Sequence, residues 1–146
     1  MVRVDVVTAK LVELADRIAR VRGRVPDTVE KLAADRDALD LVAFNLMLAV
    51  QSCLDIASHL IADEGWPPAP TLGATFERLH EKGVIERATA VALGRAAGLR
   101  NVVAHGYAGV DPEAVYAAAT RGAADLERFA SEIAAWLIPV GGHEGR

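Results

Sequence analysis

The stretch that decides the fold is DRDALDLVAFNLMLAVQSCLDIASHLIAD, residues 35–63. Its apolar side chains recur alternately four and three positions apart, the spacing that lines one face of a helix: Val42, Leu46, Ala49, Cys53, Ile56 and Leu60. Three acidic residues lie near its start, where the helix dipole favours negative charge, and the proline-rich EGWPPAP, residues 64–70, follows its end. The pattern predicts a long helix from about Asp35 to Asp63 whose apolar seam lies inside a helical bundle.

Shorter helical patterns precede this stretch. Apolar residues at helical spacing predict an amphipathic helix over residues 4–23. The segment RGRVPDTVE, residues 22–30, interrupts that spacing. Within it, Asp27 followed by Glu30 forms a capping-box pattern, which predicts the start of a short second helix.

Three further helices are predicted after the long one. TLGATFERLHEKG, residues 71–83, has the pattern of a short helix closed by a glycine. Residues 84–105 predict the next helix, and Asp111 followed by proline is typical of the start of the last one. No strand pattern is convincing. The sequence thus predicts an all-α, antiparallel bundle of four or five helices, with one domain over residues 1–139 and a disordered tail over 140–146.

Composition and charge exclude several classes of protein. The 146 residues carry 16 basic and 20 acidic side chains, a net charge of −4, so the chain as a whole does not attract nucleic acid. Because no uncharged apolar run reaches about 18 residues, we expect no membrane-spanning helix, and the charged N-terminal pattern is unlike a signal peptide. The lone Cys53 excludes an internal disulfide and fits a cytoplasmic protein. A hydrophobic content of 52% in so short a chain suggests that a partner covers part of the surface.

One face of the first predicted helix is basic. Four residues spaced seven, three and four positions apart share this face: Lys10, Arg17, Arg20 and Arg24. Glu13 lies among them and is placed to pair with Arg17. Such a face is either simply solvated or a local patch that contacts RNA.

Polar residues also interrupt the long helix. Four of them fall within one arc of about 80° beside the apolar seam: Asn45, Ser52, Asp55 and His59. Polar groups in such a position cost stability unless they are paired. Two interpretations stay open: the four residues form hydrogen bonds between helices or a partly polar dimer surface, or they line a polar cleft.

The segment LRNVVAHGYAG, residues 99–109, crowds unusual chemistry into a chain rich in Ala, Leu and Val. If the core-facing stripe of this helix is Ile85, Ala92, Leu99 and Val103, then Arg100 lies about 60° to its side. His105 lies roughly opposite the stripe and about 140° from Arg100, so a straight helix does not bring the two side chains to one face. Either the arginine arm wraps around the helix, the helix yields before Gly106, or a second chain supplies the missing half.

Arginine and histidine together suit the cleavage of RNA, in which the 2′-hydroxyl of the substrate is the nucleophile. A histidine can take or give the proton, and an arginine can stabilise charge on the phosphoryl oxygens. No metal is required, and the sequence has no metal-binding motif, since its four histidines are far apart and Cys53 is alone. The R-x4-H spacing by itself is unspecific, however, and a polar, capped helix end in a structural dimer is an alternative.

RNVVAHGY, residues 100–107, resembles the R-x4-6-H motif of HEPN-domain ribonucleases, and specifically the R-x4-H-x-Y pattern of the HepT toxin branch. AVQSCLDIASHLIADEG, residues 49–65, resembles the long helix of the same family, which commonly carries a D-I-A-x-H segment. The similarity extends from about Val7 to Pro139. It implies a HEPN-like helical bundle that forms a homodimer, with the active cleft at the dimer interface.

The resemblance also implies a function. HepT-like proteins are metal-independent endoribonuclease toxins of toxin–antitoxin pairs, which places catalysis on Arg100 and His105 with Asn101 assisting. The partner is an MNT-type nucleotidyltransferase antitoxin, which uses ATP to transfer AMP to the motif tyrosine, here Tyr107; the toxin itself needs no cofactor. Without the resemblance, Tyr107 would be a side chain that packs its ring and exposes its hydroxyl. An alternative function is a non-catalytic helical module that binds a nucleotidyltransferase.

Overall fold

The structure, a computed structural model, describes residues 2–105 and 110–138 of the chain. The predicted tail at residues 140–146 and the predicted modification site Tyr107 lie outside these ranges. The described residues form helices and no strand, which confirms the prediction of an all-α fold. The elements are α1 (Val4–Arg24), α2 (Val29–Ala34), α3 (Arg36–Asp63), α4 (Leu72–Glu81), α5 (Arg87–His105), α6 (Pro112–Ala117), a π-turn (Ala118–Gly122) and α7 (Ala123–Leu137).

Helix α3 is the central element of the bundle. All six residues of its predicted seam are buried, and its most extensive contact is with α1. By length and composition alone α3 could span a membrane, so the expectation that no such helix exists was too strict. In its most apolar window, however, 61% of the residues are buried inside the protein, as in the core helix of a soluble bundle.

Short polar side chains begin four of the helices. Asp35 accepts a hydrogen bond from the backbone N–H of Ala38 at 3.1 Å, and Asp111 and Thr71 cap α6 and α4 in the same way. The predicted capping box at Asp27 is wrong, because Thr28 caps α2 and accepts from the Lys31 N–H at 3.2 Å. Thr28 has the extended backbone that a capping residue needs, whereas Asp27 pairs through its carboxylate with the Lys31 ammonium group at 2.9 Å.

Gly83 ends α4 as predicted, with a φ of 76° that side-chain-bearing residues rarely adopt. The N–H of Gly83 donates to the His80 carbonyl at 2.9 Å, and the N–H of Val84 donates to the Leu79 carbonyl at 2.9 Å. Two edge-to-face aromatic pairs hold the adjoining part of the bundle, with centroids 5.7 Å apart in Phe76–Phe129 and 6.2 Å apart in Trp66–Trp136. The Phe76–Phe129 pair joins α4 to α7, and the Trp66–Trp136 pair joins the segment before α4 to the end of α7.

The last predicted helix contains a π-turn that the periodicity did not reveal. The hydroxyl of Thr120 donates to the Tyr116 carbonyl at 2.8 Å. A threonine that bonds to the carbonyl four residues earlier competes with the regular helix ladder and loosens it. The widened turn changes the phase of the helix between Val115, which packs on the core around α2, and Phe129, which packs on the core around α4.

The buried residues form two clusters, and α5 joins them. Ala90, Leu93 and Ala97 pack in the cluster that includes α4 and α7. One turn later, Leu99 and Val103 pack on the cluster formed by α2, α6 and the first half of α3. Arg100 lies on α5 between Ala97, which belongs to the first cluster, and Val103, which packs on the second.

Candidate active site

The buried line of α5 leads directly to Arg100. The buried residues of this helix are Thr89, Ala90, Ala92, Leu93 and Ala97. Arg100 follows Leu93 and Ala97 at helical spacing, so it continues the buried line instead of lying 60° to its side. The predicted stripe was therefore partly wrong, since Leu99 and Val103 are only half-buried. Because α5 packs through small residues, the largest side chains do not mark its buried face.

Three hydrogen bonds hold the guanidinium group of Arg100. Its Nε and Nη2 both donate to Oε1 of Gln51 on α3, at 3.1 and 2.7 Å, and its Nη1 donates to Oδ1 of Asn101 at 3.0 Å. Both acceptor atoms are neutral amide oxygens. The positive charge of Arg100 is thus oriented but is not paired with a carboxylate among the described residues.

Behind Gln51 the polar contacts continue across the bundle. The Gln51 amide nitrogen donates to Oδ1 of Asp55 at 2.9 Å, and the Lys10 ammonium group lies 3.4 Å from Oδ2 of the same carboxylate. Lys10 also contacts Glu13 at 3.3 Å. Asp55 was a candidate from sequence and Gln51 was not, although it lies four residues before Asp55 on the same side of α3.

The basic face of α1 is engaged largely within the chain. Arg17 donates to Oδ1 of Asn45 at 3.0 Å, and Arg20 pairs with Asp16 at 2.9 Å. The predicted pair of Glu13 with Arg17 does not form, because the Asn45 amide on α3 binds Arg17 and leaves Glu13 to Lys10. The contacts of Asn45 and Asp55 with α1 are hydrogen bonds between helices, one of the two interpretations of the polar residues on α3. Contact of the basic face of α1 with RNA stays a prediction.

The remaining polar candidates make no hydrogen bond to Arg100 among the described residues. Ser52 is buried and His59 half-buried on α3. His105 is the last residue of α5 and is exposed. It lies about 140° around the helix and about 7.5 Å along it from Arg100. One chain thus presents the guanidinium group and the imidazole to different sides.

The Arg100 side of the site is an open groove between α3 and α5. It is lined by Asp40, Phe44, Met47, Arg100, Val103 and Ala104. Phe44 is 49% exposed, an unusual position for a phenylalanine in a chain of this size. Within residues 2–105 and 110–138 no three His, Cys, Asp or Glu side chains gather as a metal site requires. The groove therefore offers a ligand the Arg100 cation, apolar walls and, at one side, the carboxylate of Asp40, which is paired with Arg36.

Cys53 takes no part in this site. It is buried in the α3 seam, and that burial raises the pKa of its thiol. A thiol held neutral in an apolar core is a poor nucleophile. Its role is packing.

Comparisons with known proteins agree on one family. The family described as Ribonuclease HepT-like matches residues 14–133. A protein of Archaeoglobus fulgidus named "Putative RNase" is 32% identical over 92 residues, which cover 63% of this chain and 69% of that protein.

Solved structures share the fold. The Shewanella oneidensis HEPN toxin, tri-AMPylated and in complex with MNT antitoxin, superposes with a TM-score of 0.83 at 24% identity, covering 90% of this chain and 98% of that one. A toxin–antitoxin crystal structure with AMP-PNP gives 0.84 at 23%, with the same coverage of 90% and 98%. The cytosolic Bacillus subtilis protein YutE gives 0.81 at 13%, covering 93% of this chain and 91% of that one.

Proposed function

Because the chain belongs to the HepT-like ribonuclease family, we propose that it is a metal-independent endoribonuclease in which Arg100 and His105 act on one scissile phosphate. The observation that carries this proposal is the state of Arg100, whose charge faces an open groove with only amide oxygens as partners. Five other arginines among the described residues pair with carboxylates, whereas Arg100 and Arg17 are held by amide oxygens, and of these two it is Arg100 that lines the open groove.

The proposed reaction is an internal transfer of the phosphoryl group. The 2′-oxygen of the RNA attacks the phosphorus, the bond to the 5′-oxygen breaks, and the products are a 2′,3′-cyclic phosphate and a 5′-hydroxyl. His105 accepts the 2′-hydroxyl proton or supplies a proton to the leaving 5′-oxygen. Arg100 stabilises the charge on the phosphoryl oxygens, and Asn101 holds one of its terminal nitrogens.

Two copies of the chain complete the cleft in this proposal. His105 and Arg100 face different sides of α5, so a two-fold axis is needed to bring one group from each copy near the same phosphate. Exposed apolar residues support such an interface: Val102 lies one turn before His105, Phe44 lines the groove, and Leu41 precedes Phe44 by three residues on α3. Burial of these side chains in a partner would also account for the high apolar content.

We further propose that the chain is the toxin of a toxin–antitoxin pair. An MNT-type nucleotidyltransferase is the proposed antitoxin, and it transfers AMP from ATP to Tyr107: the phenolic oxygen bonds to the α-phosphorus, pyrophosphate leaves and the phenol loses its proton. A phosphate attached two residues beyond His105 would compete with RNA for Arg100. The toxin–antitoxin complexes that share the fold support this proposal.

The other sequence candidates have places in this proposal. The cleft is bounded by α3, which carries Asn45, Ser52, Asp55 and His59. The exposed arginines of α1 contribute to RNA contact. Among the described residues Arg24 is the member of that face that has no partner within the chain. We place the protein in the cytoplasm, where its RNA substrate is.

The test compares the wild-type chain with His105→Ala. Both proteins are purified and incubated with total RNA in EDTA, and cleavage and growth inhibition on expression are measured. We expect the wild type to cut RNA and slow growth and the variant to do neither. If neither protein cuts RNA but both bind a nucleotidyltransferase equally well, the chain is a binding module and the proposal is wrong.

A further inference from the structure

We propose that Gln51 is the residue that positions Arg100 for catalysis, and that it does so because its side chain is a neutral acceptor. This inference rests on the proposed ribonuclease function. It starts from the double contact in which one oxygen of Gln51 accepts from both Nε and Nη2 of Arg100, at 3.1 and 2.7 Å. Both residues are half-buried, so the contact is only partly open to competition from water.

The donors that remain on Arg100 match a phosphoryl group. A guanidinium group has five N–H donors in a planar fork. Gln51 takes two of them and Asn101 a third, which leaves one on each terminal nitrogen. Each of these donors, one on Nη1 and one on Nη2, can be given to a phosphoryl oxygen of a bound substrate. Gln51 therefore fixes the plane of the guanidinium group and leaves its phosphate-binding donors available.

Neutrality distinguishes Gln51 from the partners of several other arginines, although Arg17 also donates to a neutral amide, that of Asn45. Arg20, Arg22 and Arg128 are each paired with a carboxylate, at 2.9, 2.5 and 2.7 Å. A carboxylate at position 51 could accept the same two hydrogen bonds from Arg100. It would also cancel the positive charge that stabilises the developing negative charge on the phosphoryl oxygens.

Asp55 determines which way the Gln51 amide faces. The Gln51 nitrogen donates to Asp55 at 2.9 Å, and an ionised carboxylate can only accept. The amide oxygen must then face Arg100. Lys10, 3.4 Å from the other oxygen of Asp55, offsets the negative charge of that carboxylate. The contacts thus orient Arg100 without a carboxylate in direct contact with its guanidinium group.

The experiment uses two substitutions of Gln51 in the full-length dimer. Gln51→Met keeps the size of the side chain and removes the acceptor, whereas Gln51→Glu keeps the acceptor and adds a negative charge. Glu132→Gln is the control, because it alters a hydrogen-bonded contact at the opposite end of α5. The measurements are kcat and KM on a fluorogenic RNA and the ¹⁵Nε–H NMR signal of Arg100, assigned by its loss in Arg100→Lys.

We expect Gln51→Met to lower kcat about ten- to a hundred-fold with little change in KM, and to shift or broaden the Arg100 Nε–H signal, because misplacement of a catalytic group is costly. Gln51→Glu should retain that signal, raise KM and lower kcat, because the added charge cancels the positive charge that attracts RNA and stabilises the phosphoryl oxygens. The control should match the wild type in kcat, KM and signal.

Two outcomes separate this inference from the proposed function. If the wild type cuts RNA and Gln51→Met cuts it equally fast, the positioning role is wrong while the ribonuclease stands. If the wild type cuts nothing, the proposed function fails, and the NMR signal then decides the contact: an Arg100 signal unchanged in Gln51→Met overturns it, and a lost signal supports it.

Discussion

At its N-terminal end α5 is held by a carboxylate, and near its C-terminal end it is held by an amide. Glu132 of α7 accepts from the Glu86 backbone N–H and from the hydroxyl of Thr89, both at 2.7 Å. Thr89 is fully buried, and a negative charge suits the N-terminus of a helix. At the other end, Gln51 accepts from Arg100 and leaves its charge intact.

The difference separates structural polar contacts from functional ones. Arg128 donates to Thr89 at 3.1 Å and to Asp125 at 2.7 Å, so its charge is satisfied within α7 and α5. Arg100 is held by amide oxygens and by no carboxylate among the described residues. A cation that is paired with a carboxylate contributes to stability, whereas a cation held by amide oxygens beside a groove keeps its charge for a ligand.

The largest expected effect is on catalysis at the Gln51 end of α5. Arg100→Ala should lower the rate of RNA cleavage by about 10²–10³-fold, the usual cost of removing a donor that stabilises the transition state. Its melting temperature should change little, since the contact is at the surface of a groove. Arg128→Ala is the matched control and should keep the wild-type rate of RNA cleavage. An equal loss of rate in both variants would contradict the claim that only the Gln51 end of α5 acts in catalysis.

The next largest effect is on stability at the Glu132 end. Glu132→Ala leaves the buried Thr89 hydroxyl and the Glu86 N–H without their acceptor, so the free energy of unfolding should fall by about 1–3 kcal/mol. Urea denaturation followed by circular dichroism measures it. Cleavage per folded molecule should be unchanged, and a rate loss larger than the unfolded fraction explains would contradict the structural assignment.

A smaller effect is expected on the chemical labelling of Cys53, in the middle of the bundle. Cys53 is buried in α3, and its raised thiol pKa makes it unreactive until the core opens. We expect Glu132→Ala to speed labelling by a thiol reagent about ten-fold, in proportion to its loss of stability. Arg100→Ala should leave the labelling rate unchanged, and fast labelling of the wild type would show that the core opens without global unfolding.

The smallest effect concerns pH. Burial alone would lower the pKa of Lys10, but hydrogen bonds to Glu13 and Asp55 and the charges of those carboxylates raise it overall. A raised pKa in the folded state contributes stability that is present at neutral pH and is lost as the pH rises through that pKa. Lys10→Met should therefore lose less stability than the wild type between about pH 9 and about pH 11; equal slopes would mean that the contacts of Lys10 contribute nothing.

Periodicity was sufficient for the large elements of the fold. The α3 seam, the extent of α1 and the start of α6 at Asp111 were all predicted, because each depends on residues close in sequence. The π-turn was not, since it depends on whether the Thr120 hydroxyl bonds to the backbone or faces water. The cap of α2 was misplaced by one residue because Asp27 and Thr28 are both good capping residues.

Only part of the candidate site could be predicted from the sequence. Arg100, Asn101 and His105 stand in one short motif, but Gln51 lies 49 positions before Arg100 and carries no motif of its own. The orientation of Arg100 was also misjudged, because a helix that packs mainly through alanine gives a weak hydrophobic period. Contacts that join distant segments require the fold.

The aromatic pair near the end of α7 has a spectroscopic consequence. Trp66 and Trp136, with ring centroids 6.2 Å apart, are the two tryptophans of the chain. Trp136 lies one turn after Glu132, so the intrinsic fluorescence originates at the carboxylate-held end of α5. Emission will follow the melting of that corner. Binding of nucleotides in the groove beside Arg100 will not change the tryptophan emission, so detecting that binding requires an added fluorophore.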